Sequence, residues 1–303
     1  MHVAEFQGLR WCCFGALFPA LVLCLAASPA GAARTVACGE VYAGSGELEA
    51  DCEGDIRIAG GSLDLRGYTV HGSVRCEGLE CEVYSDGSRG TISGIGSEGS
   101  VGIDAAGARL TVRNVLVTGF GTGIRADEVL ASDVEVAGNA GFGINALHGI
   151  ELVDSSVGMN GNDGLHSQIG QIRISGSQLT GNRGNGVRAL KGVTMDGSSV
   201  SWSGGDGVRN FSGTVVVSGS TVSSNGNDGV RTDDSDCFPS GTLELRSSTI
   251  EGNASNPDCG DGRVCADVVA CNLTQVGGSS RCETSYRLQS GLPGESWRVC
   301  QLD

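Results

Sequence analysis

Apolar residues along most of this chain fall two apart in short bursts. Ile150/Leu152, Ile172/Ile174 and Val193/Met195 each bracket a polar residue, and Val215/Val217 repeats the spacing. Period-2 spacing predicts half-buried strands. The segments are rich in Val, Ser, Thr and Gly and carry no 3.6-residue stripe, which argues against helix. A longer rhythm lies over the short one. Glycine recurs at Gly102, Gly123, Gly143, Gly164, Gly186, Gly207 and Gly229, always followed by Ile, Leu or Val, at intervals of 21, 20, 21, 22, 21 and 22 residues. An apolar anchor sits 12 residues before the next glycine (Ala131, Leu152, Ile174, Met195, Val217), and a second follows 5 residues later (Val136, Val157, Leu179, Val200, Val222). These distances hold over five coils, so the variable residue falls in the turn ahead of them. Each coil therefore reads as three strands, and such units bury their apolar faces only by stacking.

Eight residues beyond each anchor lies a column of Asn139, Asn160, Asn182, Ser203 and Asn225, continued by Asn253. Asn tolerates left-handed backbone and bonds within its own turn. Stacked amides can also bond each other along the axis, so the column is read as a structural ladder.

The coil period and the Asn column, over about Cys38 to Asn253, resemble the right-handed parallel β-helix of the pectin-lyase-like superfamily. The resemblance implies an all-β, single-stranded parallel β-helix with three strands per 20–22-residue coil, about eight or nine coils and disulfide-braced end caps. The segment Gly60–Gly72, GGSLDLRGYTVHG, is similar to the first coil of uncharacterised secreted bacterial members, and the ending TSYRLQSGLPGESWRVCQLD to their C-terminal tails. That superfamily spans lyases, hydrolases, esterases, epimerases and tailspikes, so the likeness implies a fold and leaves the activity open.

The N-terminus is set apart from the fold. Arg10 precedes an apolar run from Trp11 to Ala27, and Ala30-Gly31-Ala32 offers a small-residue cleavage site, so residues 1–32 read as an export signal. The expected divisions that follow are an N-terminal cap with the first coils at 33–95, repeats at 96–255, and a Cys-rich cap at 256–303. Cys12, Cys13 and Cys24 leave with the signal. The ten cysteines that remain cluster at the two ends: Cys38, Cys52, Cys76 and Cys81, then Cys237, Cys259, Cys265, Cys271, Cys282 and Cys300. Open β-helix ends expose strand edges, and disulfides there would hold short cap segments. The x5 spacing of Cys259, Cys265 and Cys271, with no histidine after His166, does not fit common zinc modules. The expected destination is secreted, periplasmic or cell-surface, with no membrane span after signal cleavage.

Candidate chemistry lies in outward columns. Two residues after the glycines come Asp104, Arg125, Asn145, His166, Arg188, Arg209 and Arg231, and just before them Phe142, Asp163, Asn185, Asp206 and Asp228. Stacking would place three arginines on one face, about 4.8 Å apart. Like charges directly opposite repel, so Arg188, Arg209, Arg231, His166, Asp206 and Asp228 are the candidate binding set. One reading is a solvated network of ion pairs; the other is a face gripping uronate or sulfate by bidentate hydrogen bonds. Asp233, Asp234 and Asp236, beside Cys237, are candidate calcium ligands, with a plain acidic loop as the alternative and no cofactor otherwise required. Trp297 and Tyr286 offer stacking platforms or cap packing.

Catalytic signatures do not stand out. Polygalacturonase-like hydrolases carry Asn-Thr-Asp, Asp-Asp, Gly-His-Gly and Arg-Ile-Lys; here Asp233-Asp234 is the only Asp-Asp, His148-Gly149 lacks its leading glycine, and Lys191 is the only lysine. Net charge is −15, which disfavours nucleic acid and anionic membranes. Three function classes stay open: a carbohydrate-interacting surface protein, a polysaccharide lyase or hydrolase, and a structural or adhesive rod.

Overall fold

A computed structural model describes residues 33–232, 242–253, 266–270, 272–277, 280–282 and 285–287. Among the described residues every regular element is a strand, and no helix is long and apolar enough to cross a membrane. First and second strands of the coils form a nineteen-stranded sheet, and third strands form an eleven-stranded one. All pairings are parallel, each strand bonding to its counterpart one coil on, as in Ile150↔Ile172 and Ile172↔Val193. The chain is a parallel β-helix.

The anchors predicted from spacing are the core columns. Leu152, Ile174, Met195, Val217 and Leu245 lie in direct register, as do Val136, Val157, Leu179, Val200, Val222 and Ile250. All are buried, and with Ile144, Leu165, Val187, Val208 and Val230 they fill one narrow hydrophobic core. Parallel pairing continues beyond the regular repeats: Val268–Ala270 pairs with Val230–Thr232, and Ser285–Arg287 with Val268–Ala270. The stack thus runs into the segment expected as the C-terminal cap.

The Asn column is a hydrogen-bonded ladder. Asn139 Nδ2 donates to Asn160 Oδ1 at 3.0 Å, Asn160 Nδ2 to Asn182 Oδ1 at 3.0 Å, and Asn225 Nδ2 to Asn253 Oδ1 at 2.9 Å. Each backbone N–H in these pairs donates to the same oxygen, at 3.1–3.3 Å. Ser203 interrupts the run, and its buried Oγ has no hydrogen-bond partner. The ladder also explains the recurring glycine. A Cβ on Gly207 would lie 2.5 Å from Val222 Cγ1 and 2.6 Å from both Asn225 Nδ2 and the Gly229 carbonyl. The glycine column and the amide column are two halves of one packing arrangement.

A second ladder escaped the sequence reading. Ser155, Ser177, Ser198 and Ser220 each accept the backbone N–H of the equivalent residue one coil earlier at 3.0–3.1 Å, and return a hydrogen bond to the carbonyl two residues before themselves. The residue ahead of each serine is left-handed: Asp154 (φ 47°), Gly176 (φ 57°), Gly197 (φ 53°) and Gly219 (φ 54°). The corner geometry is therefore set by the ladder, and Asp or Gly fills it as each tolerates positive φ.

Two disulfides, Cys38–Cys52 and Cys76–Cys81, close within the N-terminal group, and Cys282 is also disulfide-bonded. Cys237, Cys259, Cys265, Cys271 and Cys300 lie outside the described residues, as do residues 1–32, expected as an export signal, Asp233, Asp234 and Asp236, and Trp297.

Candidate functional site

First strands carry the arginine column in unbroken register: Asp104↔Arg125↔Asn145↔His166↔Arg188↔Arg209↔Arg231. Toward the N-terminus it extends through Arg57 and Arg75, which pairs with Asp104. Toward the C-terminus it meets buried Val269 and then the backbone of Tyr286. The sequence reading missed Arg57 and Arg75 because the first coils depart from the glycine period.

The two halves of the column differ in electrostatics. In the N-terminal half the one carboxylate, Asp104, is a member of the column itself and pairs with both Arg125 and, at 3.9 Å, Arg75. Arg125 grips Asp104 by two hydrogen bonds, 3.0 Å from Nε and 2.7 Å from Nη2. Burial opposes ionisation of Asp104, but those bonds and the Arg125 charge outweigh it and hold the carboxyl below its usual range. The same bonds push the Arg125 guanidinium upward.

In the C-terminal half the compensating carboxylates come from the preceding turn. Asp163 Oδ1 accepts from the Asn185 N–H at 2.7 Å, the Asp206 N–H donates to Asn185 Oδ1 at 2.9 Å, and Asp206 Oδ1 accepts from the Asp228 N–H at 3.1 Å. These aspartates form a third ladder. Each also turns Oδ2 toward an arginine: Arg188 to Asp163 at 3.9 Å, Arg209 to Asp206 at 3.9 Å, and Arg231 to Asp228 at 3.8 Å. The carboxylates are essentially buried, with side-chain exposures of 3%, 2% and 0%, while the arginines are 41%, 31% and 12% exposed. The ion pairs of the network reading, Asp206–Arg209 and Asp228–Arg231, are present, but the acids are buried rather than solvated: they are structural members of the turn, and the guanidiniums form a graded surface above them.

Phe211 shapes that surface. The Arg188 and Arg209 guanidiniums lie 5.2 Å and 4.9 Å from its ring centroid, and a ring of this kind attracts cations. It thereby offsets part of the repulsion between adjacent rungs and fixes two flexible side chains. His166 contributes differently. Its ring stacks on Phe142 with centroids 5.0 Å apart, and its buried Nδ1 has no hydrogen-bond partner. Burial lowers its pKa, the Asp163 charge opposes that, and Arg188 adds to it, so the imidazole is neutral at neutral pH. It is an aromatic edge to the face rather than a cation.

Asp206 has unusual acidity for a carboxyl. Burial foremost, then the Asp228 charge, raises its pKa to about 7 against the pull of Arg231 and Arg209. A group titrating near neutrality suits proton transfer, but a general acid or base must touch its substrate. With 2% of its side chain exposed, Asp206 does not. Among the described residues no cluster of three or more His, Cys, Asp or Glu is placed to hold a metal ion.

No family model matches the chain, and no curated protein is similar to it. Three solved structures share part of its course. The catalytic domain of Agl-KA aligns at 14% identity with a TM-score of 0.44, covering 82% of this chain and 51% of that one. The pectate lyase Pel9A aligns at 16% identity and TM-score 0.41, covering 74% and 68%. The enzymatically active domain of tailspike protein 2 from bacteriophage CBA120 aligns at 13% and 0.41, covering 83% and 42%. The chain thus spans about half the length of the Agl-KA domain. The β-helix assignment stands on the strand register of the chain itself.

Proposed function

We propose that this chain is an exported β-helix protein whose Arg188–Arg209–Arg231 face binds an acidic polysaccharide laid along the coil axis, without cleaving it. The observation that carries this reading is the consecutive register of three guanidiniums above buried carboxylates. A repeating anionic polymer meets a matching repeat of donors, about 4.8 Å apart, and guanidinium forks suit carboxylate or sulfate. Paired cysteines at the N-terminal end fit an oxidising, extracytoplasmic setting.

The test is retention of uronate and sulfated polysaccharides on the purified protein. Wild type should bind one of them, more weakly as salt screens the exposed charges. Arg188→Gln/Arg209→Gln should reduce that binding at least about tenfold, equivalent to about 1.4 kcal/mol. Arg231 is left intact in this variant because it is only 12% exposed, so its loss would disturb packing as well as binding. Equal binding by the double variant refutes the assignment. The alternative, a lyase or hydrolase, would have to use the exposed Arg188 or Arg209 guanidinium, since Asp206 is buried beneath them. Appearance of unsaturated-uronate absorbance or new reducing ends would favour it. Calcium belongs to this proposal through Asp233, Asp234 and Asp236; binding that survives chelation unchanged removes it.

A further inference from the structure

At the other end of the rod, three outward residues of the third-strand sheet meet on consecutive rungs. Glu53 ends the strand Cys52–Glu53, His71 the strand Thr69–His71, and Ser93 the strand Gly90–Ser93. They stand in direct register, Glu53↔His71↔Ser93. His71 Nδ1 lies 2.9 Å from Ser93 Oγ, and His71 Nε2 lies 3.9 Å from Glu53 Oε1. All three line a cavity of about 580 Å³, shared with Ile95, Val101 and Phe120. From this geometry we infer a second site, in which Ser93 is a nucleophile activated by His71 and Glu53 for the cleavage of short acyl esters.

The tautomer follows from the charges. Glu53 lies 3.9 Å from Nε2, beyond hydrogen-bond distance, but its charge favours a proton on that side of the ring, which leaves the Nδ1 lone pair for the Ser93 hydroxyl. That is the arrangement a base–nucleophile pair requires, with a third group orienting the base. The strand carrying Glu53 is pinned by the Cys38–Cys52 disulfide immediately before it. Stacking alone does not account for the trio. Farther along the same column come Thr118, Ala137, Gly158, Thr180 and Ser201, with no imidazole beside a hydroxyl. Nor does stability: the His71 and Glu53 side chains are 46% and 85% exposed, and exposed polar pairs contribute about 0–1 kcal/mol at most.

The cavity is of a size for a small ligand. Ile95, Val101 and Phe120 supply an apolar wall for a short acyl chain, and Ser97 and the Asp55 carboxylate, which accepts from the Ser73 hydroxyl at 2.8 Å, make the polar side that faces the alcohol portion. Ser93 Oγ attacks the ester carbonyl carbon as its proton passes to His71 Nδ1, and Glu53 balances the imidazolium. The carbon–oxygen bond to the alcohol then breaks, and the leaving oxygen takes the proton from Nδ1. Water, deprotonated by the same nitrogen, attacks the acyl-serine; the carboxylic acid departs and Ser93 regains its proton. Ester and water go in, acid and alcohol come out, and no further reactant is needed.

A fluorophosphonate probe tests the inference on the purified, disulfide-bonded protein, since it modifies only activated serines. Peptide mapping should place the phosphonyl group on Ser93, and p-nitrophenyl acetate should be hydrolysed. Ser93→Ala should abolish both, and His71→Gln should slow both about 100-fold or more. Glu53 acts as a positioning residue: Glu53→Ala should lower the rate and Glu53→Asp should restore part of it. Unfolding midpoints of all variants should match wild type, which separates lost chemistry from lost folding. An unlabelled Ser93 under conditions that label a control serine hydrolase overturns the proposal, as does labelling indifferent to His71→Gln. The outcome is independent of the arginine face, whose polysaccharide binding Ser93→Ala should leave unchanged.

Discussion

Asn182 offers a sharp test of what holds the coils in register. Its side chain is completely buried. Oδ1 accepts from Asn160 Nδ2 at 3.0 Å and from the Asn160 N–H at 3.3 Å, and Nδ2 donates to the Val157 carbonyl at 3.1 Å. Asn182→Leu keeps the length of the side chain and removes all three bonds. Asn160 is itself only 1% exposed, so water does not replace the lost acceptor. Each buried group left unmet costs about 1–3 kcal/mol. Two moderating effects apply. Asn160 Nδ2 retains a bond to the Val136 carbonyl at 3.1 Å, and burying leucine returns about 1.5–3 kcal/mol. Crowding works the other way, because Asn182 Nδ2 lies 2.6 Å from where a Gly164 Cβ would stand, a slot that suits a flat amide. The expected net loss is about 1–3 kcal/mol.

Denaturant unfolding followed by circular dichroism reads the global effect, and hydrogen exchange at the Asn160 amide reads the local one. In a solenoid each coil leans only on its neighbours, so exchange at Asn160 should quicken about tenfold for every 1.4 kcal/mol lost. Ser203→Asn supplies an arm of opposite sign. The wild-type Ser203 Oγ is buried without a partner, and an Asn there can accept from Asn182 as Asn225 Oδ1 already accepts from the Ser203 N–H at 3.0 Å. A gain of about 1 kcal/mol is expected. An unchanged midpoint in Asn182→Leu, or a loss in Ser203→Asn, would show that the ladder is a by-product of stacking rather than a support for it.

Asp206 makes stability depend on pH. Its folded-state pKa of about 7 lies above its ordinary value of 3.8, so folding favours the protonated form, and stability falls as pH rises through that window. Asp206→Asn should flatten urea midpoints over this range and leave the protein no less stable above it; a slope equal to wild type would refute the assignment. Cys38–Cys52 spans 14 residues and Cys76–Cys81 spans 5. Loop closure assigns them about 3 and about 2 kcal/mol, so Cys→Ser pairs should lower the midpoint in that order. Peptide mapping under non-reducing conditions should recover both bridges and none from these four cysteines to the C-terminal group.

Lateral order in this fold was legible because the period is nearly fixed. Counting from the glycines aligned Arg188 with Arg209 and Arg231, and Asn160 with Asn182, and the structure places them in those columns. The serine ladder was equally countable: Ser155, Ser177, Ser198, Ser220 and Ser248 each stand 5 residues before the Asn column. It went unseen because serine in a turn attracts no special reading. The Glu53–His71–Ser93 trio was not countable, since the first of its two intervals is shorter than the coil period. Only strand pairing brings those residues together.

Depth was the quantity that counting could not supply. Asp206 and Arg209 lie three residues apart, and a charge pair at that spacing reads as surface. Yet the turn draws the carboxylate inward, where its Oδ1 serves the next coil's backbone, while the guanidinium stays above. One clue was present in the same column. Asn185 occupies the equivalent position and makes the equivalent bond, with its Oδ1 accepting from the Asp206 N–H at 2.9 Å. An amide that substitutes for a carboxylate shows that the position is selected for an acceptor oxygen, with charge secondary. The acids therefore belong to the scaffold, and the arginines above them are what the scaffold presents.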